Sequence, residues 1–236
     1  MNNPLPLVVA NLKANLTWDE VSNWIDTIGS KSNNFKGTIV LCPSLPFLAA
    51  AARKINDGSL RIKLGTQDIS KFEAGAYTGE VAAAQLKGIC QFAIIGHSER
   101  KKYFAETDGD VMKKVDLLLK NNITPLLCIN AISQLESYLG GNSRIKQIAP
   151  EIVFVYEPPG AISGGGDFRP EDPLVAVNNA KKIKEIIGTQ VITIYGGSIN
   201  PQNAKSFFSQ GGLDGGLVGQ ASIDPQVFGQ ILENIN

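Results

Sequence analysis

The sequence is poor in the residues that form metal sites and disulfides. It contains one histidine and three cysteines among 236 residues. Cys42, Cys90 and Cys128 lie in or beside apolar segments, are scattered, and lack the spacing of zinc ligands. This pattern is typical of buried, reduced thiols. Because there is also no nucleotide-binding fingerprint, we expect no metal and no cofactor.

The chain has no excess of either charge and no long apolar segment. Its 22 Lys and Arg balance 22 Asp and Glu, so the composition indicates neither nucleic acid nor a basic partner. No apolar run approaches the roughly 18 residues of a membrane helix. The first ten residues lack a basic region, and their apolar stretch is shorter than a signal peptide needs. We therefore expect a cytoplasmic protein that binds neither nucleic acid nor a membrane.

What the sequence does contain is eight short segments rich in β-forming residues. They are mainly apolar rather than alternating, as expected for parallel strands that are buried on both faces. They span residues 5–10, 38–42, 61–66, 92–95, 123–128, 152–156, 191–195 and 213–218. Between some of them lie amphipathic helical patterns at 18–28, after the candidate N-cap Thr17, at 110–120, and at 173–187, before Gly188.

The number and spacing of these segments predict the fold. Eight strands in 236 residues give about 30 residues per strand–helix unit. Continuous alternation of strands and helices predicts a parallel sheet. Eight units without a linker or a shift in composition favour an α/β fold of the (β/α)8 TIM barrel type, as a single domain over residues 1–236. An open doubly wound sheet is the alternative that the pattern alone leaves open.

Chemically active residues follow several of the predicted strands. In a barrel of this type the active site lies at the C-terminal ends of the strands. The residues are Asn11 and Lys13 after the first strand, His97 after the fourth, Glu157 after the sixth, and glycine-rich segments at 196–198 and 219–222 after the last two. Taken singly, these would be a solvated lysine, a structural histidine, a surface acid and turn glycines. Their convergence on one rim instead predicts an active site.

Five strings at these positions resemble the triosephosphate isomerase family. They are Asn-Leu-Lys-Ala-Asn at 11–15, Ala-Ile-Ile-Gly-His-Ser-Glu-Arg at 93–100, Val-Tyr-Glu-Pro at 155–158, Tyr-Gly-Gly-Ser at 195–198 and Leu-Val-Gly-Gln-Ala-Ser at 217–222. A sixth, Gly-Ala-Tyr-Thr-Gly-Glu at 75–80, resembles the dimer loop of that family. The strings occur in the family's order, and Gly-His-Ser-Glu-Arg is highly specific in this setting.

The resemblance implies an aldose–ketose isomerase of glycolysis and gluconeogenesis. Its reaction would interconvert dihydroxyacetone phosphate and D-glyceraldehyde 3-phosphate through an enediolate. By the same resemblance, Glu157 is the base, His97 is a neutral electrophile, and Lys13 stabilises the enediolate and attracts the phosphate. Asn11 would position the substrate and the lysine, and Glu99 would anchor the site.

The resemblance also implies a phosphate site and a homodimer. Backbone N–H groups, which glycine lets approach closely, would hold the phosphate. The candidates are Ser163 in the lid segment 158–166, Ser198, Gly219 and Gln220. In the dimer, loop 72–80 would enter the partner subunit, with Thr78 reaching its site. Taken alone, this loop would more often be an ordinary surface loop.

The chain departs from the family pattern at several places. Pro-Pro-Gly at 158–160 stands where the family usually has Pro-Val-Trp, and Gln220 replaces the second glycine of a phosphate turn. Asn130 and Ala131 follow Cys-Ile where the family has Gly-Glu.

Two other functions stay open at this point. One is another phosphate-binding barrel enzyme, which would not need Glu157 and His97 together. The other is a barrel that has lost catalysis and serves only in binding.

Overall fold

The computed structural model describes residues 5–139, 144–162, 169–187 and 191–236. Their eight parallel strands form a closed barrel in which each strand pairs with the next, and the last pairs with the first. The strands are β1 Leu7–Asn11, β2 Thr38–Cys42, β3 Ile62–Thr66, β4 Phe92–Ile95, β5 Thr124–Ile129, β6 Val153–Tyr156, β7 Ile192–Tyr195 and β8 Gly215–Val218. The prediction of a single-domain TIM barrel is confirmed, and the open-sheet alternative is wrong.

Helices alternate with the strands along the described residues. They are α1 Trp18–Ser32, α2 Leu48–Asp57, α3 Ala83–Leu86, α4 Ser98–Phe104, α5 Asp108–Lys120, α6 Ile132–Leu139, α7 Arg144–Ile148, α8 Pro173–Ile187, α9 Pro201–Phe208 and α10 Pro225–Asn234. Helix α1 begins after Thr17, whose backbone N–H and hydroxyl both donate to the Glu20 carboxylate. Within the described ranges, no helix combines the length and apolar character needed to span a bilayer.

The strands are buried on both faces, which explains their nearly continuous apolar sequences. In β1, Leu7 and Val9 belong to the cluster that fills the barrel, whereas Val8 and Ala10 pack in the layer between the strands and the helices. The side chains of a strand alternate between its two faces, so each strand needs apolar residues in both registers. All three cysteines are buried and free, as the sequence predicted.

The barrel closes where β8 meets β1. The Leu7 N–H donates to the Asp214 carbonyl at 2.9 Å, and Leu7 pairs with Gly215 in the parallel register. Gly215 has a φ of 150°, and a Cβ at this position would lie 1.9 Å from the Leu7 carbonyl oxygen. Only glycine allows the two backbones to approach this closely.

We therefore predict that Gly215→Ala lowers the free energy of unfolding by about 3 kcal/mol, because the new methyl group forces β8 away from β1. Gly211→Ala is the matched control. Gly211 also has a positive φ of 68°, but nothing lies within 4 Å of its added Cβ. The control should lose only about 1 kcal/mol, the cost of a left-handed backbone. Urea denaturation measures both, and equal losses would contradict the steric argument.

Candidate active site

A cleft of about 150 Å³ opens among the loops that follow the strands. It is lined by Lys13, His97, Glu157, Ala161, Ile162, Gly196, Gly197, Ser198, Ile199, Asn200, Leu217, Gly219, Gln220 and Ala221. The structure thus brings together residues that follow strands β1, β4, β6, β7 and β8. A larger groove of about 700 Å³, between the loop after β3 and helices α4 and α5, contains none of the three predicted catalytic residues.

Lys13 has an unusual backbone conformation that its neighbours hold in place. Its φ of 52° lies in the left-handed region, which is costly for a residue other than glycine. Its N–H donates to Asn11 Oδ1 at 3.1 Å, and its carbonyl accepts from Ser44 Oγ and Gln67 Nε2. The ammonium donates to Glu99 Oε1 at 2.6 Å. These contacts fix the lysine charge at the mouth of the cleft.

His97 is the N-cap of helix α4, and this position determines its tautomer. Its Nδ1 accepts a hydrogen bond from the Glu99 backbone N–H at 3.2 Å. A nitrogen that accepts carries no hydrogen, so the hydrogen of the neutral imidazole is on Nε2. Burial, the strongest influence, lowers the pKa of His97, but the carboxylates of Glu157 and Glu99 together outweigh it. In this arrangement they raise the pKa above its ordinary value.

Glu157 follows β6 and is completely buried. Its Oε2 accepts hydrogen bonds from the Ser98 backbone N–H at 2.9 Å and from Asn130 Nδ2 at 3.1 Å. Its Oε1 lies 2.9 Å from His97 Nε2 but has no donor aligned with it. One oxygen is thus held by the protein, and the other faces the histidine without a partner.

The predicted phosphate residues lie in the same cleft, apart from Ser163, which falls outside the described residues. Ser198, Gly219 and Gln220 all line it. The Ser198 N–H and hydroxyl both donate to the Ala161 carbonyl, at 2.9 and 2.8 Å. Each of these hydrogen bonds must break before its donor can bind a ligand. A short 3-10 turn, Gln220–Ser222, follows Gly219.

Glu99 and Thr78, to which the family resemblance assigns supporting roles, lie in different places. Glu99 contacts the site directly, through its hydrogen bond to Lys13. Thr78 is exposed and lines the larger groove rather than the cleft.

Asn130 and the backbone of Ser98 are partners of Glu157 that were not predicted from the sequence. Asn130 comes directly after β5, and the strand-end rule that identified Glu157 applies equally to it. The contact of Ser98 is made by its backbone N–H, which no residue type signals. Within the described ranges, no group of three or more His, Cys, Asp or Glu residues could hold a metal ion.

Cys128 is buried beside this site but is not a candidate nucleophile. Burial, and then the nearby Glu157 carboxylate, raises the pKa of its thiol well above the ordinary value. The thiol is therefore protonated, and a protonated thiol is a poor nucleophile.

Comparison with known proteins gives a consistent result. The family model described as "Triosephosphate isomerase" matches residues 6–235. A triosephosphate isomerase of Thermus thermophilus is 34% identical, with 94% of this chain and 95% of the relative covered. The triosephosphate isomerase of Dictyoglomus turgidum is 34% identical, with 97% and 98% covered, and that of Colwellia psychrerythraea is 33% identical, with 94% of each covered.

The charges around His97 predict how its titration responds to substitution. The chain has one histidine, so its imidazole NMR signals need no assignment. We expect Glu157→Gln to lower the pKa of His97, because the variant removes a negative charge that favours the imidazolium. Glu99→Gln should lower it less, since the Glu99 carboxylate is the weaker influence and lies 3.7 Å from Nδ1. A His97 pKa that stays unchanged or rises in Glu157→Gln would contradict this electrostatic account.

Proposed function

The chain belongs to the triosephosphate isomerase family, and we propose that Glu157, His97 and Lys13 perform its reaction at the cleft of the barrel. That reaction is the interconversion of dihydroxyacetone phosphate and D-glyceraldehyde 3-phosphate. We further propose that the enzyme works as a homodimer in the cytoplasm, in glycolysis and gluconeogenesis, without a nucleic acid or membrane partner. The balanced charge of the chain supports the last of these points.

One observation carries the assignment of the base. Glu157 is a fully buried carboxylate with one unpartnered oxygen beside the imidazole, in the cleft that also contains Lys13. A base that removes a proton from carbon must be desolvated and well placed, because carbon acids are weak. In the proposed step, Glu157 turns towards the substrate and takes a proton from the hydroxymethyl carbon of dihydroxyacetone phosphate. The electron pair of that C–H bond forms a carbon–carbon double bond, the π pair of the carbonyl moves to its oxygen, and an enediolate forms.

His97 and Lys13 then stabilise the negative charge of the enediolate. The Nε2–H of His97 is available as a donor, because Nδ1 is occupied by the Glu99 N–H. Once Glu157 has accepted a proton, it no longer favours the imidazolium, so the histidine acts in its neutral form. The Lys13 ammonium adds a fixed positive charge. Donors that are arranged before charge develops are the most effective, because they need no reorganisation during the reaction.

The second half of the reaction returns the proton. Glu157 donates it to the neighbouring carbon, while His97 moves a hydroxyl proton between the two oxygens of the enediolate. The product has the same atoms and charge as the substrate. Each step moves a proton and shifts electron pairs within the substrate, so the reaction balances without an external oxidant or reductant.

Shortening the base tests this assignment. Glu157→Asp withdraws the carboxylate by about one methylene, and a misplacement of about 1 Å can cost 100-fold in rate. We expect kcat to fall at least about 100-fold, with a much smaller change in KM, in a coupled assay that starts from D-glyceraldehyde 3-phosphate. Glu20→Asp makes the same change in an exposed cap of α1 and should leave kcat unaltered. A Glu157→Asp enzyme within threefold of the unmodified one would refute the role of Glu157.

The surface around loop 72–80 supports the proposed homodimer. Phe72 and Tyr77 stack with their ring centroids 4.2 Å apart, so two aromatic rings pack together within the loop. Tyr77 is 45% exposed, and Phe104, which lines the adjoining groove, is 64% exposed. Large exposed aromatic residues beside a groove are typical of protein interfaces. In the proposed dimer, Thr78 enters the partner subunit and braces its Asn11, Lys13 and His97.

A charge placed at the tip of this loop tests the proposed interface. Thr78→Arg should dissociate the dimer, because each of two equivalent contacts would bury an unpaired charge. The kcat should fall as well, although no catalytic residue has changed. Ser30→Arg, on the exposed side of α1, adds the same charge elsewhere and should preserve both properties. Sedimentation and activity are measured on the same samples. A fully active Thr78→Arg monomer would refute the bracing role, and an intact dimer would place the interface elsewhere.

A further inference from the structure

Asn130 makes a contact with the proposed base that the reaction above does not use. It follows the last residue of β5, Ile129. Its side-chain Nδ2 lies 3.1 Å from Glu157 Oε2 and 3.3 Å from the Glu157 carbonyl oxygen. The asparagine thus binds both the carboxylate of the base and the backbone that carries it. Its position at a strand end puts it on the same rim as the other site residues.

The asparagine is itself held in place by the helix that follows. Its backbone N–H donates to Gln134 Oε1 at 2.8 Å. The Gln134 amide in turn donates to Asp108 Oδ1 at 2.9 Å and to the Tyr138 hydroxyl at 2.7 Å. Lys101 donates to the same Asp108 oxygen at 2.7 Å. A donor anchored at its backbone by such a network directs its amide at one place rather than sampling several.

The contact helps to hold the Glu157 carboxylate in a buried position at the wall of the cleft. The carboxylate has no exposed surface, and its Oε2 has two donors, Asn130 Nδ2 and the Ser98 N–H. A movement of the carboxylate out of this position towards the cleft would break both hydrogen bonds. The Ser98 donor is a backbone N–H at the start of α4, whereas the Asn130 donor belongs to a side chain and can be removed by an ordinary side-chain substitution.

We propose that Asn130 is a positioning residue that holds Glu157 in a retracted state between catalytic cycles. This inference rests on the proposed role of Glu157 as the base. The retracted and forward positions of the carboxylate are in equilibrium, and the hydrogen bond from Asn130 favours the retracted one. A ligand that needs the forward carboxylate binds with an apparent affinity equal to its intrinsic affinity multiplied by the fraction of molecules in the forward position.

Removal of the donor should therefore strengthen the binding of such ligands. Hydrogen bonds to charged groups are stronger than those between neutral groups, and loss of one donor should raise the affinity about tenfold. The probe is 2-phosphoglycolate, whose carboxylate resembles the enediolate. Inorganic phosphate is the second probe, because it occupies only the phosphate position and needs no movement of Glu157. Its affinity should stay the same.

Two variants remove the donor. Asn130→Ala leaves a small side chain, and Asn130→Gly introduces the residue that the family pattern described above has at this position. Either one suffices if the other folds poorly, and thermal denaturation checks both. Asn121→Ala is the matched control, since Asn121 Nδ2 donates to the Leu117 carbonyl at 2.7 Å, at the end of α5 and away from the cleft. Calorimetry gives the two affinities, and steady-state kinetics should show a fall in KM that exceeds any change in kcat.

The outcomes separate this inference from the proposed function. Tighter binding of 2-phosphoglycolate in the Asn130 variants, with phosphate and the Asn121 control unchanged, supports a retracting role. Unchanged or weaker binding overturns it, as does an equal strengthening of both ligands. If Glu157→Asp abolishes activity while the Asn130 variants bind 2-phosphoglycolate normally, only the role of Asn130 fails. If Glu157→Asp retains activity, the role of the base fails first.

Discussion

Closure of the barrel is the constraint on which the rest of this molecule depends. All eight strands run in the same direction, and the pairing of β8 with β1 closes them around one axis, so their C-terminal ends meet at one rim. Lys13, His97, Glu157 and Gly219 are separated by up to 206 positions in the chain, and only this closure brings them to a single cleft. The close approach of Leu7 and Gly215 at the seam is therefore as important for the site as for the fold.

The site also shows how a buried charge is accommodated in a protein interior. A carboxylate without exposed surface is unfavourable unless hydrogen bonds replace its lost hydration. Glu157 receives two such bonds on one oxygen, from Ser98 and Asn130, and its other oxygen faces the imidazole of His97. This division keeps the charged group stable in the interior while one oxygen remains without an aligned donor. The same arrangement favours the imidazolium form of His97 whenever Glu157 is charged and retracted.

The backbone of Lys13 has a strained conformation that several hydrogen bonds hold in place. Its left-handed backbone is stable because groups from Asn11, Ser44 and Gln67 bind its N–H and carbonyl. Glu99 fixes the other end of the same residue by binding the ammonium. A lysine on a flexible loop would spread its charge over a large volume, whereas this one presents it at a defined point. Fixed charges of this kind are the ones that stabilise a transition state effectively.

The sequence by itself determined the fold class and predicted most of the candidate site. Double burial requires apolar residues in both registers of a strand, so segments such as 38–42 and 92–95 could be recognised locally, and their number indicated a barrel. The strand-end rule and the family resemblance also predicted Lys13, His97 and Glu157, because residue types and their order can be read directly from the sequence. Only the tertiary structure decided that Ser198 is hydrogen-bonded to Ala161, that Thr78 lies away from the cleft, and that Asn130 binds Glu157. Such contacts join residues distant in the chain through particular rotamers and backbone positions, and no local pattern encodes those distances.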